Sequence, residues 1–185
     1  MATDTTNFWT NASSATNDPK RGFRFKVSMG DLGQLWMAKK ADRPTLSITE
    51  SSHDFLNHKF YWPARAEWNE VSITLVDPVL PDIASTLLSF MQNSGYKPIA
   101  SPEGPNALSS ISKSGAMTQT GDITVQQIDA NGNALETWLL KQAWIKEVDF
   151  SELDYSNDDL SEITLKLRYD WAQFTSTVAG ELFKI

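Results

Sequence analysis

Apolar and polar residues alternate along most of this chain with a period of two, the pattern of half-buried β-strands. Phe23, Phe25, Val27 and Met29 interleave with Arg24, Lys26 and Ser28. Gly30-Asp31-Leu32-Gly33 supplies turn chemistry, and Gln34–Lys39 reads as a second strand, so the two runs predict a hairpin. After the break at Pro44, Leu46 and Ile48 mark a short strand over Thr45–Thr49, and Glu50–Asn57 reads as a polar loop. His58–Ala64 carries Phe60, Tyr61 and Trp62 in succession. Such a strand is either covered on both faces or binds something. Over Trp68–Asp77 the alternation returns, with Val71, Ile73 and Leu75 inward.

The clearest signals lie between Gly121 and Trp171. Asn131-Gly132 separates two β-rich runs, and a two-residue Asn-Gly loop of type I′ matches the twist of its strands. That turn would pair Ile128 with Leu135, Val125 with Trp138 and Ile123 with Leu140. One face then holds Ile123, Val125, Trp138 and Leu140; the other holds Thr124, Gln126, Thr137 and Leu139. Ile163, Leu165, Leu167, Tyr169 and Trp171 alternate with Glu162, Thr164, Lys166, Arg168 and Asp170, predicting one strand of about 30 Å at ~3.3 Å per residue.

One helix breaks the β rhythm. Ile83, Leu87, Leu88 and Met91 recur at helical spacing within about 80–95. Pro81 suits its first position, Asp82 its positive end, and Gly95 its termination. The segment from Tyr96 to Thr120 is rich in proline and reads as a long loop, a length that usually means function or a partner. There is no βαβ rhythm and no internal repeat. The expected fold is mainly β: an antiparallel sandwich or partly closed barrel of seven or eight strands with one helix at its edge. Residues 1–20, rich in Thr, Asn, Ser and Ala, are expected to form a flexible arm. Residues 21–178 form the single domain, and 179–185 a tail.

At 185 residues, with 41% hydrophobic and 21% charged side chains, the chain is long enough to bury a core. The absence of cysteine excludes disulfides and thiolate metal sites. No apolar run suggests a secretory leader or a membrane helix. Residues 1–100 balance in charge, so the whole formal charge of −7 falls on residues 101–185. That makes a grip on nucleic acid, which needs basic patches, a poor reading.

Catalytic signatures are absent: neither phosphate loop, nor nucleophile elbow, nor cysteine nucleophile occurs. His53 and His58 sit in or beside a loop without metal-ligand company. Asp129-Ala130-Asn131-Gly132-Asn133 superficially resembles a calcium loop, but Ala134 stands where glycine is needed and Leu140 where the bidentate glutamate belongs. Glu147, Asp149, Glu152, Asp154, Asp158, Asp159 and Glu162 form an acidic corner with no basic residue between them. A carboxylate pair there could do acid–base work or bind a cation; the plainer reading is a solvated turn. Seven tryptophans raise a sugar-binding alternative. Parity puts Trp138 and Trp171 on apolar faces and leaves Trp36, Trp62 and Trp68 open.

The segments FRFKV, FLNHKFYWPARAEWNEVSITLVDPVLPD and Gly121–Trp171, in this order, resemble the tail tube protein family of contractile-tailed, T4-like bacteriophages. The resemblance spans roughly Phe23–Trp171. It implies a structural virion protein and not an enzyme, without cofactor or metal. Hexameric rings would stack into a tube within a sheath, capped by terminator and seated on a baseplate or initiator. The tube would pass DNA without binding it specifically, away from any membrane, and would be assembled in the host bacterial cytoplasm. Similar tubes serve injection and type VI secretion systems, which is the alternative use. On this reading Thr124, Gln126 and Thr137 are lumen candidates by parity. Glu50, His53, Asp54, Asp154, Asp158 and Asp159 are candidates for contacts between subunits or rings, from loop length and polarity.

Overall fold

A computed structural model describes residues 19–30, 33–96, 110–156, 158–177 and 182–184. Within them the chain forms twelve strand segments and two helices. The strands are β1 Phe25–Met29, β2 Gly33–Gln34, β3 Ala38–Ala41, β4 Leu46–Phe55, β5 His58–Trp68, β6 Val71–Val76, β7 Ile123–Ile128, β8 Ala134–Lys141, β9 Trp144–Phe150, β10 Glu162–Arg168, β11 Trp171–Ser176 and β12 Leu182–Lys184. The helices are α1 Ile83–Asn93 and α2 Lys113–Thr120. One sheet has the order β12-β11-β8-β7-β1-β2, and a second has the order β3-β6-β10-β9. All pairings are antiparallel. The fold is therefore a sandwich-like, mainly β architecture, with no closed barrel.

The core is the meeting of two alternating faces. Val27, Met29, Ile123, Val125 and Leu140 come from the larger sheet. Val71, Ile73, Leu75, Ile163, Leu165 and Leu167 come from the smaller one. Helix α1 adds Leu87. Asp82 is its N-cap, its carboxylate accepting from the Ser85 N–H at 2.9 Å. Pro81 thus stands before the cap, not at the first helical position. Gly95, at φ +112°, closes the helix as Tyr96 N–H donates to the Met91 carbonyl.

Several expected boundaries move, each for a local reason. The supposed hairpin over Arg21–Lys39 is interrupted: β2 pairs briefly with β1, while β3 joins the other sheet beside β6. Turn residues mark a reversal but do not say which sheet the chain re-enters. The loop at Asn131-Gly132 is longer than two residues. Only Gly132 has positive φ, and Asp129 accepts the N–H groups of Asn131 and Asn133, both at 2.8 Å. The Asn133 amide and these N–H groups hold the Asp129 carboxyl below the ordinary carboxylate range. A bulge at Gln127/Ile128 then pairs Ile128 with Ala134 and not Leu135, while the Val125–Trp138 and Ile123–Leu140 pairs stand as expected.

The expected long strand ends at Arg168. Tyr169 and Asp170 carry the chain across to the larger sheet, where β11 begins. The crossing resets parity, so Ala172 points inward and Trp171 is exposed. Part of the expected Tyr96–Thr120 loop is helix α2, capped by Ser112; residues 97–109 lie outside the described ones. Gly121 follows α2 at φ +63°, and a Cβ there would come 2.8 Å from the Gly30 Cα, so this junction requires the bare backbone. The expected tail contains β12, which pairs with β11. Of the expected N-terminal arm only residues 19–20 are described, and the Lys20 ammonium meets Glu136.

Leu165 is fully buried at the centre of the smaller sheet. Leu165→Ala should cost about 2–5 kcal/mol of folding stability, read as a lower urea midpoint with unchanged slope.

Candidate assembly surfaces

The segment expected as a polar loop, Glu50–Asn57, is the outer half of strand β4. It pairs with β5 in a two-stranded sheet that joins neither layer. At about 3.3 Å per residue the ten residues of β4 make an arm of ~30 Å. Leu56, at φ 52°, turns the tip. Serines and charges within 50–54 hid the strand, because a β-segment without a buried face shows no apolar alternation.

Cross-strand register sorts the arm into two faces. Ser51 opposes Trp62, His53 opposes Phe60, and Phe55 opposes His58. These share one face, and the Trp62 ring lies 6.3 Å from both the His53 and Phe60 rings, centroid to centroid. Glu50 opposes Pro63, Ser52 opposes Tyr61, and Asp54 opposes Lys59 on the other face. There the Lys59 ammonium stands 5.8 Å from the Tyr61 ring centre. The structure thus separates His53 from Glu50 and Asp54. Phe60 is 49% exposed, Trp62 51% and Leu56 88%. A two-stranded ribbon is marginal in water by itself, and this one presents a contiguous aromatic face to solvent.

The acidic corner, residues 151–156 and 158–161 as described, is irregular and lies between β9 and β10. Its carboxylates are not gathered around a centre. Glu147 pairs with Lys166 at 2.8 Å, and Glu162 meets Lys39. Asp154 accepts from the Ser156 N–H and hydroxyl, which hold its carboxyl below the ordinary range. Asp158 and Asp159 are exposed. No group of three His, Asp or Glu able to hold a metal exists among the described residues. Sequence reading fixed on these charges and missed Leu153, Tyr155 and Leu160, which are largely exposed and line a groove of about 580 Å³.

Strand register places these two features at opposite ends of the smaller sheet. The arm leads into β6 at Val71, which pairs with Leu167; the corner leads into β10 at Glu162, which pairs with Val76. The six residues of β6 put ~20 Å between them.

The outer face of the larger sheet brings the remaining candidates together. Gln126 and Thr137 are register partners, and the Gln126 amide donates to the Thr137 hydroxyl at 3.2 Å. Thr175 continues that row beyond Thr137, and Lys26 flanks Gln126. Thr124, between Ser28 and Leu139, lies on the same face. This face is a ladder of hydroxyls and amides that also holds Leu139 and two cations, Lys26 and Lys141, the latter paired with Asp122 at 2.7 Å.

A further cavity of about 650 Å³ lies at the root of the arm, lined by Trp68, Ile111, Lys113, Trp144, Tyr169 and Asp170 among others. Lys113 and Asp170 pair across it at 2.5 Å. Trp68 packs against Tyr169 at 6.0 Å between ring centres, which removes it from any exposed sugar platform. Trp36 and Trp62 remain exposed. Burial pushes the Tyr169 phenol up to about 12. Among the described residues no helix is long and apolar enough to cross a membrane.

No protein-family model matches the chain, and no curated protein matches it. Solved structures do. A chain of the sheath/tube terminator of an extracellular contractile injection system, PVC, is 16% identical with a TM-score of 0.64, covering 86% of this chain and 98% of that one. A chain of the tube-terminating cap of the anti-feeding prophage is 14% identical with a TM-score of 0.64, covering 86% and 93%. A chain of the PVC sheath–tube complex is 16% identical with a TM-score of 0.63, covering 88% and 95%. The chain therefore has the fold found in tube and terminator assemblies of contractile injection systems.

Phe60→Ser and Trp62→Ser should leave the isolated subunit's stability within about 0.5 kcal/mol, measured by urea unfolding, because neither ring is buried in the subunit. The raised Tyr169 phenol keeps the folded state neutral where an unfolded tyrosine, near 10, ionises. Stability should therefore fall as pH rises from about 10 towards about 12, and Tyr169→Phe should reduce that fall in alkaline melts.

Proposed function

We propose that this chain is a structural subunit that assembles with copies of itself into rings, and that the rings stack into the inner tube of a contractile machine. The observation that carries the reading is the fold likeness over nearly the full length of tube and terminator assembly chains. The free arm supports it: its aromatic rings stay about half exposed in the subunit, and a second copy supplies the missing cover. Sheet edges support it too, since joining sheets between subunits removes the unpaired rows that a free edge exposes.

In this assembly the face bearing Thr124, Gln126 and Thr137 lines the channel. A lumen of hydroxyls and amides whose two lysines are Lys26 and the Asp122-paired Lys141 offers a polyanion little net positive charge to hold it. Glu50, His53, Asp54, Asp154, Asp158 and Asp159 belong to surfaces between subunits or rings. Sheath, baseplate and terminator proteins are the expected neighbours, in keeping with the assemblies that share the fold. The role is mechanical and not catalytic.

Two uses of such a tube compete. The sequence resemblance to T4-like tail tubes favours a hexameric tube in a virion that conducts DNA. The injection-system structures that share the fold favour a protein-delivering machine. Isolating the assembled particle and identifying the tube contents by nuclease and protease sensitivity decides between them.

Electron microscopy and light scattering of the purified chain at high concentration should show rings with a central hole, and stacks of them. A chain that stays monomeric throughout would overturn the proposal. Lysines at both Asp158 and Asp159 should shorten the stacks if that corner meets a neighbour; stacks of normal length would remove it from the contact.

A further inference from the structure

We propose that the arm of one copy docks, by its aromatic face, into the groove that Leu153, Tyr155 and Leu160 line among carboxylates at the corner between β9 and β10 of the next copy. This rests on the tube reading and deepens it by naming the contact. Two exposed apolar surfaces lack cover in the subunit: the arm face with Phe55, Phe60 and Trp62, and the corner with Leu153, Tyr155 and Leu160. Leu153 is 85% exposed, Leu160 69%, and Leu56 at the tip of the arm 88%. Covering each with the other removes both from water.

Position favours a second copy over the same one. The arm is rooted at the end of β6 away from its own corner, and within one subunit both apolar surfaces stay exposed, so a neighbour's corner is the one left for the arm to cover. When one copy's arm meets the next copy's corner, each added copy repeats the step. The contact is head-to-tail, so it propagates.

Polar groups on the two surfaces are complementary. The aromatic face of the arm carries His53, His58 and the Trp62 indole, each able to donate an N–H. Its carboxylates, Glu50 and Asp54, lie on the opposite face. The corner carries Glu152, Asp154, Asp158, Asp159 and Glu162, with no basic residue from 151 to 162. Carboxylates accept what the imidazoles and indole donate, and like charges are kept out of the contact.

The chain has no cysteine, so introduced thiols report the contact directly. Phe55→Cys with Tyr155→Cys in one chain, oxidised gently while assembled, should give a ladder of covalent oligomers beyond the dimer. Either substitution alone should give monomers on a non-reducing gel. Dimers from Phe55→Cys alone would show arm meeting arm and overturn the proposal. A ladder from Phe55→Cys with Ile111→Cys, in place of the first pair, would seat the arm in the cavity at its neighbour's root and overturn it too. Wild-type tubes by electron microscopy without a 55–155 ladder would end this contact and leave the tube reading standing. A wild-type chain that never assembles would end both.

Discussion

The pairing of β6 with β10 holds the rest of this molecule in place. Val71, Ile73 and Leu75 face the core beside Leu167, Leu165 and Ile163, all at or near zero exposure. Six apolar side chains on these adjacent strands make the smaller sheet's side of the core, and a one-residue slip of either strand would turn its three to solvent. That makes the register costly to change. The same register sets where the arm is rooted at one end and where the corner turns at the other. A soft pairing here would let both surfaces wander, and a repeated contact between copies needs them at a constant spacing.

Parity was legible in the sequence wherever one face of a strand is buried against the other sheet. Val27 and Met29, Ile123 and Val125, and Ile163 to Leu167 all fall as alternation predicts. It failed where the chain leaves a sheet or where no face is buried. Trp171 was read as inward because Tyr169–Asp170 looks like continued strand, yet the chain crosses there to the other layer and Ala172 takes the inward place. Ile128 lost its expected partner to a bulge that the Asp129 hydrogen bonds set up. Strand β4 was invisible beyond Thr49 because Glu50–Asp54 pairs without burying anything in the subunit. The Phe60-Tyr61-Trp62 run did signal a surface that needs cover, while the exposed Leu153, Tyr155 and Leu160 were masked by the charges around them.

The ion pairs do not explain assembly. Those of Lys39 with Glu162, Lys146 with Glu70 and Lys166 with Glu147 are on the surface of one subunit and link segments of the same four-stranded sheet. Exposed pairs of this kind contribute little, typically about 0–1 kcal/mol each, and salt screens them. Residues 101–185 carry all of the negative balance, so two such regions repel each other unless a donor-rich, apolar surface stands between them. The arm is the described segment that combines an aromatic face with imidazole and indole donors.

A contact between unlike surfaces has a consequence that a contact between like ones lacks. When the same patch meets itself, two copies complete the interface and growth stops. When an arm meets a corner, every added copy leaves one arm and one corner unfilled, so a stack has polarity and two different ends. Growth then starts from something that offers one of the surfaces and stops at something that covers the other. The exposed aromatic face is an aggregation hazard in a free subunit, and in a polar stack it remains open at one end alone. The pairing of the arm would then serve order as much as adhesion: a β4–β5 ribbon in one register presents one aromatic face to the next copy, whereas an unpaired loop of the same composition would present many.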